Sequence, residues 1–182
     1  MKNKTTNYYI LLLLALMFVA PGVTAYFFYQ HPSWLRAAAV NKGNLLSPPL
    51  ALDVLDAQHK WRIVIWSPGA CSTACMNQLD TLARVRLALG RKLYYVDQWL
   101  ILGEKSPLLT EENKSWLKDR DYHVVHLSLL ANKLQAVLPT TAAVFIANPD
   151  NYLILSYQIQ VNPNNVYADL KLLLNTTQTK SG

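Results

Sequence analysis

Apolar positions divide the chain into one long unbroken stretch and a series of shorter periodic ones. Tyr8 to Tyr29 carries no charged residue, and at 1.5 Å per residue it is long enough to cross the ~30 Å hydrocarbon layer of a bilayer. Further on, Trp61-Arg62-Ile63-Val64-Ile65-Trp66 has the β-branched and aromatic content of a strand, and its nearly continuous apolar character suits a sheet covered on both faces. Ser67-Pro68-Gly69 is turn chemistry. The segment from Ser72 to Leu89 then reads as a helix closing at Gly90, with Cys75, Leu79, Leu82, Val85 and Leu89 as its apolar stripe and Asn77, Asp80, Arg84 and Arg86 on other faces.

The same patterning places the remaining elements. Gln30 to Pro49 lacks periodicity and reads as a tether, and Leu50 to Asp56 as an edge strand. Leu93 to Leu102 is a second strand. Thr110 with Glu111 and Glu112 starts a helix that carries Trp116 and Leu117 to about Arg120. Tyr122 to Leu127 is a strand, Leu129 to Leu138 a short helix, and Thr141 to Ala147 with Tyr152 to Ile159 a hairpin through Asn148-Pro149-Asp150-Asn151. Asn162 caps a final helix with Pro163 at its first position and Val166, Leu170, Leu173 and Leu174 as its stripe. The predicted fold class is α/β, a central mixed sheet flanked by helices behind one N-terminal transmembrane helix. The expected organisation is a cytoplasmic N-terminus over 1–7, an anchor over 8–29, a tether over 30–49, a domain over 50–175 and a polar tail over 176–182.

Charge changes this picture in one respect. Lys2 and Lys4 precede the apolar stretch, so the N-terminus is expected in the cytoplasm and the bulk of the chain outside it. A cleaved signal peptide is the competing reading, since Pro21-Gly22 interrupts a helix and Val23-Thr24-Ala25 fits a small-residue cleavage site. The apolar run continues through Tyr26-Phe27-Phe28-Tyr29, which favours an uncleaved anchor. The formal charge is +6, from 17 basic and 11 acidic residues. Away from the first residues the basic side chains are scattered, with no basic run and no nucleic-acid motif, so the excess describes a solvated surface and implies no nucleic-acid partner.

Candidate chemistry sits at one place. Both cysteines, Cys71 and Cys75, lie where a strand hands over to a helix, and there the unpaired amides and the positive end of the helix dipole favour a thiolate. The C-x-x-x-C spacing puts the sulfurs about one helical turn apart, close enough to bridge or to grip one soft ion such as Cu(I) if Cys71 sits at the cap. A purely structural disulfide is the alternative, but so short a loop removes little entropy from the unfolded chain. Cys75 shares the buried stripe and Cys71 lies at the mouth of the helix, which assigns Cys71 as attacking thiol and Cys75 as its resolving partner. No Lys, Arg or His lies within the motif, so the helix terminus alone is available to lower the Cys71 pKa.

This arrangement resembles the thioredoxin-like fold and, within it, the Sco/SenC family of membrane-anchored proteins that help assemble cytochrome c oxidase. The likeness rests on the single anchor, the C-x-x-x-C after the first core strand, the strand-turn-strand from Ala142 to Asn151 and the terminal helix. More narrowly, Asn44-Leu45-Leu46-Ser47-Pro48-Pro49, Trp61 and Ser67-Pro68-Gly69-Ala70-Cys71 are similar to short Sco-like proteins that accompany proteobacterial oxidase subunits. The resemblance implies copper delivery to the oxidase or reduction of its copper-binding cysteines. It also implies an inner (cytoplasmic) membrane anchor, a periplasmic domain, and oxidase subunits or other assembly factors as partners.

Two departures stand against the family pattern. Met76 follows the second cysteine where the family has Pro, and Pro139-Thr140-Thr141 occupies the place of the family's copper-binding His. Pro139-Thr140 instead resembles the cis-proline loop that faces the active cysteines of thioredoxins. A third Cu(I) ligand would have to come from His123, His126 or Met76, against the alternative that the histidines are ordinary strand residues and Met76 packs in the core. A non-catalytic docking protein of the oxidase, with a structural disulfide, is the alternative function.

Overall fold

The computed structural model describes residues 3–31, 41–52, 59–127 and 138–178. It divides into two units, Met1–Val40 and Asn41–Gly182. In the first, helix α1 spans Asn3–Gln30. Its segment Tyr8–Gln30, with a mean hydropathy of 2.3, is long and apolar enough to cross a membrane. Pro21 lies inside the helix and does not end it, as apolar helices tolerate when neighbouring turns keep their hydrogen bonds.

The second unit is built on a six-stranded mixed sheet in the order β1-β6-β5-β2-β3-β4. The strands are β1 Asn44–Ala51, β2 Trp61–Ser67, β3 Val96–Leu102, β4 Tyr122–His126, β5 Ala143–Ala147 and β6 Tyr152–Gln158. β2, β3 and β4 run parallel, while β5 is antiparallel to β2, β6 to β5, and β1 to β6. All seven residues of β2 are buried, as its unbroken apolar run predicts for a central strand. Strand alternation splits the core in two. Ile63 and Ile65 face helices α2 (Thr73–Ala88), α3 (Glu111–Lys118) and α4 (Pro163–Gln178), packing with Leu79, Leu82, Leu117, Val166 and Leu170. Val64 and Trp66 face the other way, into a cluster with Trp99, Phe145, Leu52, Leu127 and Leu138.

Direction fixes which loops meet. β2, β3 and β4 end, and β5 begins, at one edge of the sheet, where Ser67 pairs with Leu102, Leu102 with His126, and Trp66 with Ala143. β1 is antiparallel to β2 through two intervening strands, so it too begins at this edge.

Three expected boundaries move. The first strand begins at Asn44 and not at Leu50, so residues 44–49 belong to the sheet and not to a tether, while residues 53–56 of the expected edge strand and 32–40 of the expected tether lie outside the described residues. Pro48 and Pro49 are tolerated because an edge strand bonds on one side only, and the register slips between Leu45 and Leu50 where they sit. Gly90–Tyr95 forms a 3-10 turn with Tyr94 and Tyr95 exposed, so β3 starts at Val96 and not at Leu93. Helix α4 runs on to Gln178, three residues into the expected tail. The expected short helix lies outside the described residues apart from Leu138, as do residues 179–182 of the tail.

The junction that opens the second unit is held by a buried carboxylate. Asp169 on α4, 2% exposed, accepts from the backbone N of Lys42 at 2.9 Å, the backbone N of Gly43 at 2.8 Å and the hydroxyl of Tyr157 at 2.6 Å. Gly43 leaves no room for a side chain, since a Cβ there would lie 2.5 Å from the Tyr157 ring.

Candidate functional site

The C-x-x-x-C segment is positioned by the strand before it and by β3 beside it. The carbonyl of Ser67, the last residue of β2, accepts from the backbone N of Gly103 at 2.8 Å, and the Ser67 hydroxyl donates to the Gly69 carbonyl at 3.0 Å. Gly103 packs directly on Pro68, so close that a Cβ would fall 2.4 Å from the Pro68 carbonyl oxygen. Helix α2 then opens at Ser72, whose extended backbone (φ −68°, ψ 173°) and hydroxyl acceptor for the backbone N of Cys75 at 3.4 Å make it the N-cap. Cys71 precedes the cap and Cys75 lies in the first turn.

The two cysteines form a disulfide with Cα atoms 5.3 Å apart. Their surroundings differ. Cys75 is 2% exposed and belongs to the core under α2, whereas Cys71 is partly exposed and packs on that core from outside. Once reduced, the accessible sulfur is therefore the one on the residue just before the N-cap, at the positive end of a 16-residue helix.

Pro139 and Thr140 are exposed and lie at the same sheet edge, just before β5. The indole Nε1 of Trp66 donates to the Pro139 carbonyl at 2.8 Å, tying this loop to the end of the strand that leads to the cysteines. The bond before Pro139 is trans; among the described residues the cis bond is Ser47–Pro48.

The two β4 histidines separate. His126 ends β4 on the cysteine edge, two strands from Ser67 or about 10 Å at the usual strand spacing, and alternation puts it on the face that carries α2. His123 is on the opposite face, stacked on Trp99 with ring centroids 4.6 Å apart. Met76 is half-buried and packs against the α2-side core. Among the described residues, no three His, Cys, Asp or Glu side chains gather as a metal site. The arrangement therefore brings the two sulfurs together and no third donor of that kind to them.

Two features of the site escape sequence reasoning. Gly103 reads as one of several loop residues, and nothing local shows that it supports Pro68. The Trp66 bond to Pro139 joins segments far apart in the chain; an indole at the end of a buried strand was its one visible signal, because such N–H groups require a partner.

Residues 61–177 match the family of transmembrane-like, thioredoxin-like C-terminal domains. The chain belongs to this family, and its fold is that of thioredoxin-like thiol–disulfide oxidoreductases behind an apolar helix of membrane-spanning length. No curated protein matches the sequence. Among solved structures, apo Sco1 from Thermus thermophilus is 18% identical, with a TM-score of 0.54 over 74% of this chain and 97% of that one. Copper-bound ScoI from Bradyrhizobium japonicum is 19% identical, with a TM-score of 0.43 over 62% and 83% of the two chains. The thioredoxin domain of a thiol-disulfide oxidoreductase from Bacteroides vulgatus is 12% identical, with a TM-score of 0.46 over 75% and 99%. At these identities the likeness is one of fold.

Proposed function

We propose that this chain is a membrane-anchored thiol–disulfide oxidoreductase in which Cys71 attacks and Cys75 resolves. The observation that carries the reading is the asymmetry of the pair, one sulfur partly exposed ahead of the helix cap and the other buried in the first turn. In the reducing direction the Cys71 thiolate attacks one sulfur of a partner disulfide, and the partner's other sulfur leaves as a thiolate. Cys75, deprotonated, then attacks the Cys71 sulfur. The partner departs as a dithiol, the Cys71–Cys75 bond forms, and two electrons have passed to the partner. Pro139 and Thr140, exposed on the same edge, offer backbone for the partner to lie against.

The finer proposal is that the domain faces the periplasm from the inner membrane and serves cytochrome c oxidase maturation, with oxidase subunits or another assembly factor as partner. It is supported by Lys2 and Lys4 ahead of the apolar stretch that begins at Tyr8 and by the likeness of Asn44–Pro49 and Ser67–Cys71 to short Sco-like proteins. A second reading takes Cu(I) as cargo on the reduced sulfurs. The place of His126 on their face and edge favours it, with Met76 as the other candidate donor and His123 turned away.

Alkylation of the reduced protein across pH tests the first reading. Cys71 is expected to titrate below the ordinary thiol value of about 8.5, and the disulfide to equilibrate above about −300 mV. A thiol that titrates normally, or a potential below that range, makes the bridge structural. An anaerobic Cu(I) titration beside a Cys71→Ser, Cys75→Ser control tests the second: tight binding that the control lacks establishes the cargo.

A further inference from the structure

Between α2 and α3 lies a cleft of about 520 Å³, bordered by Met76, the residue after Cys75. It extends to Arg84, which at 1.5 Å per residue is ~12 Å further along the helix axis. The volume is that of an ordinary ligand site, and the length matches about four residues of extended chain. The cleft begins beside the cysteine pair in the chain, because Met76 at its border directly follows Cys75, and Cys71, Met76 and Trp116 all pack on the same core cluster.

The lining is chemically specific. Met76 and Trp116 supply apolar surface, and the Arg120 guanidinium lies 4.0 Å from the centre of the Trp116 ring. Asp80 is bonded to Arg84 at 2.6 Å and to Arg120 at 3.2 Å, so one carboxylate holds both guanidinium groups in place. Glu112 is exposed and makes no ion pair among the described residues. The side-chain amides of Asn77 and Asn113 likewise have no hydrogen-bond partner among them, although the backbone of both residues is engaged. Free amides at the rim of a groove suit a polypeptide backbone, which presents donors and acceptors alternately.

We infer that this cleft docks the segment of a partner polypeptide that flanks its reactive cysteine, seating an apolar side chain on Met76 and Trp116 and a basic one at Glu112. The inference rests on the thiol reading above and adds to it the residues that select the partner.

The test uses the full chain in detergent with Cys75→Ser, reduced, so that one attack is read. The probes are mixed disulfides of 2-thiopyridine with cysteine peptides carrying a leucine and a lysine in the four neighbouring positions, in both orders. The small 2-thiopyridyl disulfide of mercaptoethanol is the reference. Attack by the Cys71 thiolate forms the Cys71–peptide disulfide and releases 2-thiopyridone, which is followed by absorbance. One peptide order is expected to react about tenfold faster than the reference. That ratio should fall toward unity in Glu112→Lys, and in Asn77→Trp, which fills the cleft from an exposed helix position. It should also fall when serine and glutamate replace the leucine and lysine of the peptide. A ratio near unity in the parent, or one that both variants leave unaltered, overturns the docking site while the thiol chemistry stands. Failure of Cys71 to attack even the small disulfide overturns the thiol reading, and the docking site with it.

Discussion

At the scale of single residues, the cysteine loop is governed from outside its own motif. Gly103 lies against the backbone of Pro68, and backbone cannot swing aside as a flexible side chain would. Gly103→Ala is therefore expected to cost about 1–3 kcal/mol in urea denaturation and to change the alkylation rate of Cys71. Unaltered stability and rate would show that the loop moves freely. Tyrosines supply a pH signature. Burial pushes the Tyr122 hydroxyl well above its ordinary value near 10, with the Asp80 charge adding to it. Burial does the same for Tyr157, reinforced by its hydrogen bond to Asp169. The folded state thus holds both protons after the unfolded chain has released them. Stability is intact below pH ~10 and falls as pH rises past it, by up to ~1.4 kcal/mol per unit for each tyrosine. Tyr122→Phe should halve that slope while costing about 1 kcal/mol at neutral pH, because the hydroxyl donates to the Leu79 carbonyl at 2.7 Å. Equal alkaline slopes in parent and variant would remove Tyr122 as a source.

At the scale of elements, what could be read from the sequence was what the chain decides locally. The cap at Thr110, the Asn162-Pro163 start of α4 and the stripe on α2 depend on neighbours within a turn or two, and each lies where its pattern places it, whereas the cap of α2 falls at Ser72, one residue after Cys71. The first strand did not, because Ser47-Pro48-Pro49 carries turn chemistry and only its edge position beside β6 makes it a strand. The Asp169 carboxylate was equally hidden, since its donors Lys42 and Gly43 lie more than 120 residues away in the chain. Asp169→Ala would leave two amides and the Tyr157 hydroxyl without their acceptor. A loss of about 2–4 kcal/mol is expected. The signature separating this from a general loss of packing is local: amide exchange at Gly43 should accelerate more than at Val64 in β2. Uniform acceleration would mean that the carboxylate supports the whole domain and not the start of β1.

At the scale of the molecule, the decisive question is what the disulfide does for a domain that already has a core on both faces of its sheet. Its cysteines are four positions apart, and closing a loop of that size removes about 2 kcal/mol of chain entropy from the unfolded state, against nearly 5 for a loop of a hundred residues. The buried cluster around Ile63 includes Cys75 as one member among many apolar side chains of the sheet and helices, and the cluster around Val64 includes neither cysteine. The reduced protein is therefore expected to stay folded, to keep its near-UV circular dichroism, and to lose no more than about 2 kcal/mol in denaturant. Such a protein can cycle between dithiol and disulfide without unfolding, which an electron carrier requires and a covalent staple does not. Should reduction instead abolish cooperative unfolding, the bridge would be part of the scaffold. The asymmetry between a partly exposed Cys71 and a buried Cys75 would then reflect packing alone.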